Sequence, residues 1–498
     1  MAAREGDSTK QAFGVIGLDV MGRNLALNVE RNGFSVAVYN RTWAKTEELV
    51  QGAAAGKNIR AARTIPELTG RLERPRKILL MVKAGAPVDA VLDELTPHLQ
   101  PGDIVVDGGN SLFLDTERRM TELAPTGIHF LGMGVSGGEE GALWGPSLMP
   151  GGDPSAYREI EPILLKISAK SSDDGPCVTW IGERGAGHFV KMVHNGIEYA
   201  TMQMIAEAYD LLRSVAGLDN LAAKDVFEGY GRGELRGFLV DITARVLDAR
   251  DPEDPSRSLV DVILDAAEQN GTGKWTDQTA LDLGVPVPTI AAAVDARLLS
   301  ARKDERVAAS KVLIGPLTIA KEGDVEAFLT DVGRALYCST LCAYAQGMGM
   351  IAAANRQFDY QIRLDEVARI WKAGCILRAA VLDEIKHTFQ EEPQIANLLL
   401  AARFRAYLGL HQGAWRRTLR AAVIDGVAAP AQLASLAYYD TYRREHLPAN
   451  LIQAQRDLFG AHTYQRIDRP GSFHSDWSAG SESARPTVVI GGRARRVA

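Results

Sequence analysis

Short apolar runs alternate with stretches of helical spacing over the first 180 residues. The apolar runs predict strands at 13–16, 35–39, 78–82, 104–107 and 178–181. Helical spacing separates these runs near 43–53 and 88–95. Strands that alternate with helices predict a parallel, doubly wound sheet with helices on both faces.

The pattern changes at residue 185, after which helical spacing dominates to about residue 460. The last segment is rich in Gly, Ser, Pro and Arg, which is typical of an extended tail. We therefore predict an α/β Rossmann-like domain over 1–184, a large all-helical domain over 185–464 and a C-terminal tail over 465–498.

One predicted helix, over 185–214, carries an unusual polar stripe. The stripe begins at Lys191 and continues with His194, Asn195 and Glu198, which follow it by three, four and seven positions. At this spacing all four side chains share one face of the helix. A solvated face with a weak Lys–Glu interaction is the ordinary explanation of such spacing. The apolar residues on both sides favour a second hypothesis, a catalytic face. There a desolvated lysine acts as a base and a carboxylate returns a proton.

A glycine turn follows the first predicted strand and opens a helix. Gly17 and Gly22 stand in the strand–turn–helix context of a dinucleotide-binding fingerprint, which holds phosphates at the helix N-terminus. The second strand ends in Asn40-Arg41-Thr42 without the acid that binds a ribose 2′-hydroxyl. This ending favours NADP over NAD, although Arg41 is also explained as a surface arginine.

Asp19 does not fit the fingerprint. It stands where the turn needs a residue small enough to admit the pyrophosphate, and it adds a like charge close to the phosphates. Either its side chain turns away from the cofactor or the cofactor binds more weakly.

Two further glycine loops are candidates for binding an anionic ligand. Asp107-Gly-Gly-Asn110-Ser follows a predicted strand, and Ser136-Gly137-Gly138 offers exposed backbone N–H groups. Three later cationic or titratable residues, Arg297, Arg456 and His462, are by pattern alone ordinary surface residues.

Composition narrows the class of protein. The chain has 498 residues and a formal net charge of −6, which argues against non-specific binding to nucleic acids or membranes. No apolar run reaches transmembrane length and no signal segment precedes the first strand, so a cytoplasmic protein is expected. The four cysteines form no CxxC pair and no disulfide framework, and Cys338 and Cys342, four positions apart on a helix-like run, are expected to be small buried hydrophobes.

Long motifs then resemble one family over nearly the whole chain, the decarboxylating 6-phosphogluconate dehydrogenases. The matching blocks are Val106-Asp-Gly-Gly-Asn-Ser, Gly134-Val-Ser-Gly-Gly-Glu-Glu-Gly-Ala, Gly145-Pro-Ser-Leu-Met-Pro-Gly-Gly, Gly185-Ala-Gly-His-Phe-Val-Lys-Met-Val-His-Asn-Gly-Ile-Glu-Tyr, Gly271-Thr-Gly-Lys-Trp-Thr and Leu447-Pro-Ala-Asn-Leu-Ile-Gln-Ala-Gln-Arg-Asp. The resemblance implies NADP-dependent oxidative decarboxylation of 6-phospho-D-gluconate to D-ribulose 5-phosphate and CO2, in the pentose phosphate pathway. It implies Lys191 as the base and Glu198 as the acid.

The resemblance also implies the remaining site residues, a homodimer and no metal. The substrate contacts implied are Asn110, Ser136, Gly137, Gly138, His194, Asn195, Tyr199 and Arg297, with Arg456 and His462 supplied by the partner subunit. The cofactor contacts implied are Gly17, Leu18, Asp19, Val20, Met21, Gly22, Asn40, Arg41, Thr42, Val82, Lys83, Ala84 and Asn110.

Two departures from the family pattern keep other functions open. The family usually has Ala at Asp19, and at Asn270 it has a Lys that contacts the substrate phosphate. Asn270 raises the alternative of a related β-hydroxyacid dehydrogenase with another substrate. Asp19 raises that of a catalytically impaired paralogue retained for binding.

Overall fold

The computed structural model describes residues 10–269, 271–316 and 324–477, together with the backbone of two strands near the C-terminus. By its internal contacts the chain divides into two units, 1–436 and 437–498, which are described separately. None of the helices in the described ranges combines the length and the apolar character needed to cross a membrane.

A seven-stranded sheet begins the first unit. Its strands are β1 Phe13–Ile16, β2 Val36–Tyr39, β3 Ile59–Ala61, β4 Lys77–Leu80, β5 Ile104–Asp107, β6 His129–Ser136 and β7 Ser147–Gly151. The strand order is β3-β2-β1-β4-β5-β6-β7. The first six strands pair in parallel, so the turns that follow them meet at one edge of the sheet.

Helices cover both faces of this sheet, as predicted. They are α1 Val20–Arg31, α2 Trp43–Gln51, α3 Ile65–Gly70, α4 Ala86–Leu95, α5 Phe113–Leu123, α6 Gly138–Trp144 and α7 Pro154–Ile167. Two separate apolar clusters, one on each side of the strands, bury their inward-facing residues. The doubly wound α/β class expected from the alternating pattern is confirmed.

Two expectations about the sheet were wrong. Residues 178–181 form no strand; Val178 makes a single bridge to Leu148 and the chain then turns towards the next helix. The last strand is instead β7, and it pairs antiparallel with β6. Both β6 and β7 contain glycines that break the apolar alternation, which explains why the sequence pattern did not reveal them.

Helices dominate the rest of the first unit. They are α8 Ala186–Ser214, α9 Asn220–Tyr230, α10 Phe238–Asp248, α11 Thr272–Asp282, α12 Pro288–Ser300, α13 Lys303–Ala309, α14 Val325–Phe358, α15 Leu364–Ile370, α16 Val381–Glu391, α17 Ala402–Asp425 and α18 Pro430–Tyr442, the last of which crosses the unit boundary. Short 3-10 helices lie at Thr96–His98, Ala124–Thr126, Leu259–Asp261 and Leu398–Leu400, and a two-stranded ribbon pairs β8 Lys170–Ser171 with β9 Gly175–Pro176.

Helix α8 joins the sheet to the helical part. It starts at the end of the sheet region and crosses β6 and β7 in backbone contact. A Cβ on Gly187 would lie 2.3 Å from the carbonyl oxygen of Gly132 and 2.4 Å from that of Met149. Only glycine permits this approach, and it brings the first turns of α8 against the end of β6. The remaining length of α8 packs against α11, α12 and α14.

The second unit contains the end of α18, the helix α19 Ala449–Gly460 and a small antiparallel sheet. Its strands are β10 Tyr464–Gln465, β11 Ser472–Ser475, β12 Pro486–Ile490 and β13 Arg493–Arg495. Asp457 is fully buried and ties the helix to the sheet, since it accepts hydrogen bonds from Thr463, His474, Ser475 and Trp477.

Candidate active site

The polar stripe of α8 is buried rather than solvated. Lys191, His194 and Asn195 are each less than one-tenth exposed, and Glu198 is half-buried. The weak surface Lys–Glu pair considered from the sequence is therefore not what the fold contains. Four polar side chains in one buried stripe require partners or a function, because unpaired buried polar groups are costly.

Burial moves the pKa values of the two ionisable ends of this stripe in opposite directions. Desolvation lowers the pKa of the Lys191 amine, and the Glu198 carboxylate opposes that shift. Desolvation raises the pKa of Glu198, and the charges of Lys191 and Arg297 oppose it. A lysine whose amine loses its proton more easily, beside a carboxyl that keeps its proton longer, suits a base and an acid in one cleft.

His194 joins the stripe to the sheet. Its Nε2 lies 3.3 Å from the hydroxyl of Ser136, at the end of β6, and its Nδ1 lies 3.1 Å from the side-chain oxygen of Asn195. Burial and the nearby Lys191 hold the pKa of the imidazole well below its ordinary value, so the ring is neutral. In this network Nδ1–H donates to Asn195 and Nε2 accepts from Ser136.

The amide of Asn195 extends the network to α11, where it donates to the hydroxyl of Thr272 at 3.1 Å. Further along α8, the ring of Tyr199 lies under the guanidinium of Arg297, 3.5 Å from the ring centre. Arg297 belongs to α12, so three helices and one strand meet around the stripe. Asn270, the second departure from the family pattern, lies outside the described residues.

The sequence pattern did not identify a loop that closes one side of this site. Trp371 is fully buried and meets the ring of His194 edge-on, with centroids 5.3 Å apart. The thiol of Cys375 donates to the carbonyl oxygen of Trp371, and burial raises its pKa to about 12, so the thiol is neutral. The loop lies about 160 residues beyond the end of α8 in the sequence, and no local signal connects the two.

The predicted cofactor residues follow four neighbouring parallel strands. The turn over 17–22 follows β1, Asn40-Arg41-Thr42 follows β2, Val82-Lys83-Ala84 follows β4, and Asn110 follows β5. They therefore share the carboxyl edge of the sheet, where open α/β folds bind ligands. Asn40 holds two of these turns together, because its side chain accepts from the N–H of Leu18 and donates to the carbonyl of Thr42.

The turn after β1 is sharp and closely packed. Gly17 has φ +95°, and a Cβ there would lie 2.3 Å from the carbonyl oxygen of Met81. Asp19 is the N-cap of α1, yet its side chain accepts no hydrogen bond from the helix. The carboxylate instead pairs with Lys45 in α2, and both side chains are largely exposed. The N–H groups at the start of α1 are thus left for a bound anion.

The remaining predicted residues are distributed as follows. Gly137 and Gly138 follow Ser136 at the end of β6 and begin α6, next to the buried stripe. Arg456 and His462 belong to the second unit, where both are exposed. The guanidinium of Arg456 donates to Gln453, and the ring of His462 packs edge-on against Phe459.

Together these features define a class of protein, a nicotinamide-dinucleotide dehydrogenase in which a long helix with a buried polar stripe lies against the Rossmann-like sheet. Two family models match the chain in order. The NAD-binding domain of 6-phosphogluconate dehydrogenase matches residues 12–182, and the C-terminal domain of 6-phosphogluconate dehydrogenase matches residues 187–477.

Relatives and a solved structure agree with these matches. The decarboxylating 6-phosphogluconate dehydrogenase of Synechococcus elongatus is 57% identical over 468 residues, covering 94% of this chain and 99% of the relative. The NADP(+)-dependent decarboxylating enzyme of Bacillus subtilis is 52% identical over 469 residues, covering 94% and 99%. The structure of Plasmodium falciparum 6-phosphogluconate dehydrogenase is similar with a TM-score of 0.90 at 40% identity, covering 94% of this chain and all of that one. The chain belongs to the family of decarboxylating 6-phosphogluconate dehydrogenases.

Proposed function

We propose that Lys191 and Glu198 are the base and the acid with which this chain performs the reaction of its family. That reaction is the NADP-dependent oxidative decarboxylation of 6-phospho-D-gluconate to D-ribulose 5-phosphate and CO2. The structure of the Plasmodium falciparum relative is described in complex with NADP+ and with 6-phosphogluconate. The observation that carries the assignment is the buried Lys191–Glu198 pair, with its opposed pKa shifts, beside the dinucleotide edge of the sheet.

Lys191 is suited to take the proton of the C3 hydroxyl. Its amine is almost fully buried and desolvation lowers its pKa, so the neutral form that accepts a proton is more accessible than that of an exposed lysine. As the hydroxyl proton passes to Lys191, C3 loses a hydride and becomes a ketone. The resulting 3-keto acid loses CO2, and the electrons of the broken bond form an enediol.

Glu198 is suited to complete the reaction. Its raised pKa keeps the carboxyl protonated longer than an exposed glutamate, and it then donates that proton to C1 of the enediol. His194 stays neutral and is fixed by Ser136 and Asn195, so it binds and orients the sugar hydroxyls without competing for protons.

The residues at the sheet edge fit NADP. The positive φ of Gly17 turns the chain sharply from β1 into α1, whose first N–H groups suit the pyrophosphate, and Arg41 and Thr42 are exposed beside it to bind a 2′-phosphate. Bound NADP supplies the acceptor for the C3 hydride. Leu18, Val20, Met21, Gly22, Val82, Lys83 and Ala84 line the same edge in this proposal, and Asn110 lies between cofactor and substrate.

The proposal extends to assembly. The chain works as a homodimer in which Arg456 and His462 complete the substrate site of the partner subunit, while Arg297, Asn110, Ser136, Gly137, Gly138 and Tyr199 belong to the chain's own site. We place the reaction in the cytoplasm, which suits four free cysteines that are all buried. We also propose that the Rossmann-like domain ends at residue 184, and that the all-helical domain over 185–464 is followed by the C-terminal tail.

The test compares Lys191→Met and Glu198→Gln with the wild-type chain. We expect Lys191→Met to lower kcat by at least about a thousandfold, because a methionine side chain cannot take the C3 proton. Glu198→Gln should also lower kcat strongly. Both variants should bind NADP with nearly wild-type affinity. Reduced nicotinamide is followed by absorbance and CO2 by a coupled assay.

Matched controls come from α9. Lys224→Met and Glu228→Gln change the same residue types at an exposed ion pair, and both should leave turnover unchanged. If Lys191→Met retains activity, the assigned base is wrong. Turnover with other 3-hydroxy acids but not with 6-phosphogluconate would instead favour the related β-hydroxyacid dehydrogenase considered from the sequence.

A further inference from the structure

His188 lies one turn before Lys191 on the same side of α8 and belongs to none of the sites described above. Its side chain is 1% exposed. The ring lies between the start of α5 and Gly132 of β6. A fully buried imidazole three residues from the assigned base requires an explanation beyond packing.

One ring nitrogen has a clear partner and the other does not. Nδ1 lies 2.6 Å from the hydroxyl of Thr116, the strongest contact of the ring. Nε2 is buried and has no hydrogen-bond partner in the part of the chain that the structure describes. Burial lowers the pKa of the imidazole, while the carboxylate of Asp107 and the backbone of Asp107 and Gly109 oppose that shift. The ring is therefore neutral. It lies against Gly132, which pairs with Asp107 at the end of β5, so it borders the loop that follows β5.

The Thr116 hydroxyl decides the tautomer. It lies 2.6 Å from His188 but 3.3 Å from the carbonyl oxygen of Leu112, so its proton is better shared with the imidazole. If Thr116 donates to Nδ1, the single ring proton is on Nε2 and faces the loop. The opposite tautomer would leave a bare nitrogen lone pair among carbonyl and carboxylate oxygens, which is unfavourable.

The loop over 107–111 is itself built around a buried carboxylate. Asp107 accepts from the N–H of Gly109 at 3.0 Å and from the hydroxyl of Ser111 at 2.6 Å, and Arg119 lies 3.6 Å away. These bonds fix the shape of the loop from within. Asn110 is exposed at the tip of the loop and takes no part in these bonds. The position of Asn110 relative to α8 therefore depends on contacts outside the loop.

We propose that His188 is a positioning residue, whose Nε2–H donates to the backbone carbonyls of the 107–111 loop and so sets the distance between Asn110 and Lys191. The contact tightens when ligands occupy the cleft, as hydrogen bonds of active sites commonly do. This inference rests on the proposed function, in which Asn110 contacts substrate and cofactor.

Two substitutions separate this role from packing. In His188→Gln the terminal amide nitrogen can take the place of Nε2–H, whereas in His188→Asn the shorter side chain can keep a bond to Thr116 but cannot reach the loop. We expect His188→Asn to lower kcat about tenfold or more with a smaller change in the KM for 6-phosphogluconate, and His188→Gln to restore most of kcat. Equal losses in both variants at equal thermal stability would overturn the proposal.

A second measurement does not depend on turnover. Hydrogen exchange of the peptides that contain residues 107–111 should be faster in His188→Asn than in His188→Gln, while exchange in α5 changes little. In the wild-type chain, ¹⁵N shifts of His188 should show the neutral Nε2–H form, so the idea stays testable even if a variant does not fold. A wild-type Nδ1–H tautomer, or equal loop exchange in the two variants, would refute the role of His188 whatever the substrate. Absence of turnover in the wild-type chain would count against the proposed function instead.

Discussion

At the scale of single residues, the charge of Arg297 acts on Glu198. The guanidinium of Arg297 opposes the burial that raises the pKa of the Glu198 carboxyl. In the proposed reaction Glu198 works in its protonated form, so activity falls as pH rises through its pKa. Lys191 works in its neutral form, so activity falls as pH drops through its pKa.

Arg297→Met should therefore move the alkaline limb of the pH–kcat profile upward, by about one pH unit, because removal of the cation raises the pKa of Glu198 further. The measurement is kcat from pH 5 to 10 at saturating substrate. Arg297→Lys keeps the charge and should leave the limb near its wild-type position. A downward shift in Arg297→Met would contradict the assignment of Glu198 as the acid.

Asp19 also acts at this scale. Its carboxylate turns from the helix N-terminus towards Lys45, which answers the steric concern raised by the sequence. The charge remains near the phosphate site, so Asp19→Ala should tighten NADP binding about two- to fivefold at low salt and less at high salt, as expected for an exposed pair.

Titration calorimetry at two ionic strengths checks the Asp19 prediction. Lys45→Met should weaken NADP binding, since it leaves the Asp19 carboxylate without its partner. If Asp19→Ala instead weakens NADP binding at both salt concentrations, the carboxylate favours NADP binding and does not repel the phosphates.

At the scale of elements, a buried glutamate of α8 fixes the start of α18. Glu207 accepts from the backbone N–H groups of Ala431 and Gln432 at 2.8 and 2.9 Å and from the side chain of Gln203 at 3.1 Å. Burial outweighs these three donors and raises the pKa of Glu207 to about 7. A carboxyl with a raised pKa in the fold binds its proton more tightly than it does in the unfolded chain.

The contribution of Glu207 to the free energy of unfolding is therefore largest below pH 4.5, and it declines as the pH rises towards 7. Relative to Glu207→Gln, which cannot titrate, the wild-type chain should lose about 2–3 kcal/mol between pH 4.5 and 8. Urea unfolding across this range measures the slope. Glu228→Gln, at an exposed position, is the control, and its free energy of unfolding should change with pH in the same way as that of the wild type. Parallel curves for Glu207→Gln as well would show that the buried carboxyl does not titrate in this interval.

At the scale of the whole molecule, the proposed homodimer makes a quantitative prediction. Lys191→Met and Arg456→Met should each be nearly inactive alone. If Arg456 completes the partner's site, a mixed dimer has one intact site, because one subunit supplies Lys191 and the other supplies Arg456. Random reassociation makes half of the dimers mixed, so about a quarter of wild-type activity should return.

The mixing is done by co-expression, and turnover is referred to the total chain concentration. His462→Ala paired with Lys191→Met should behave in the same way. Activity that stays at the level of the separate variants would place Arg456 in the site of its own chain.

The sequence by itself determined the features that depend on local periodicity. Apolar runs predicted β1, β2, β4 and β5, and helical spacing predicted α8 together with its polar stripe. These predictions succeeded because backbone geometry imposes periods of 2 and 3.6 on any segment that buries one face. The long family motifs added the chemistry of the stripe, which periodicity alone leaves between a solvated face and a catalytic one.

Only the tertiary structure decided which distant residues meet. The contact of Trp371 with His194, the pairing of Asp19 with Lys45, and the contact of His188 with Thr116 join segments with no shared local pattern. The antiparallel β7 was missed for a related reason, since Pro150 and Gly151, the second of which packs closely against Gly187 of α8, leave an apolar run of only two residues. Hydrophobic periodicity is a property of a single segment. The burial and the electrostatic environment of a residue depend instead on the neighbouring segments that the tertiary fold packs against it.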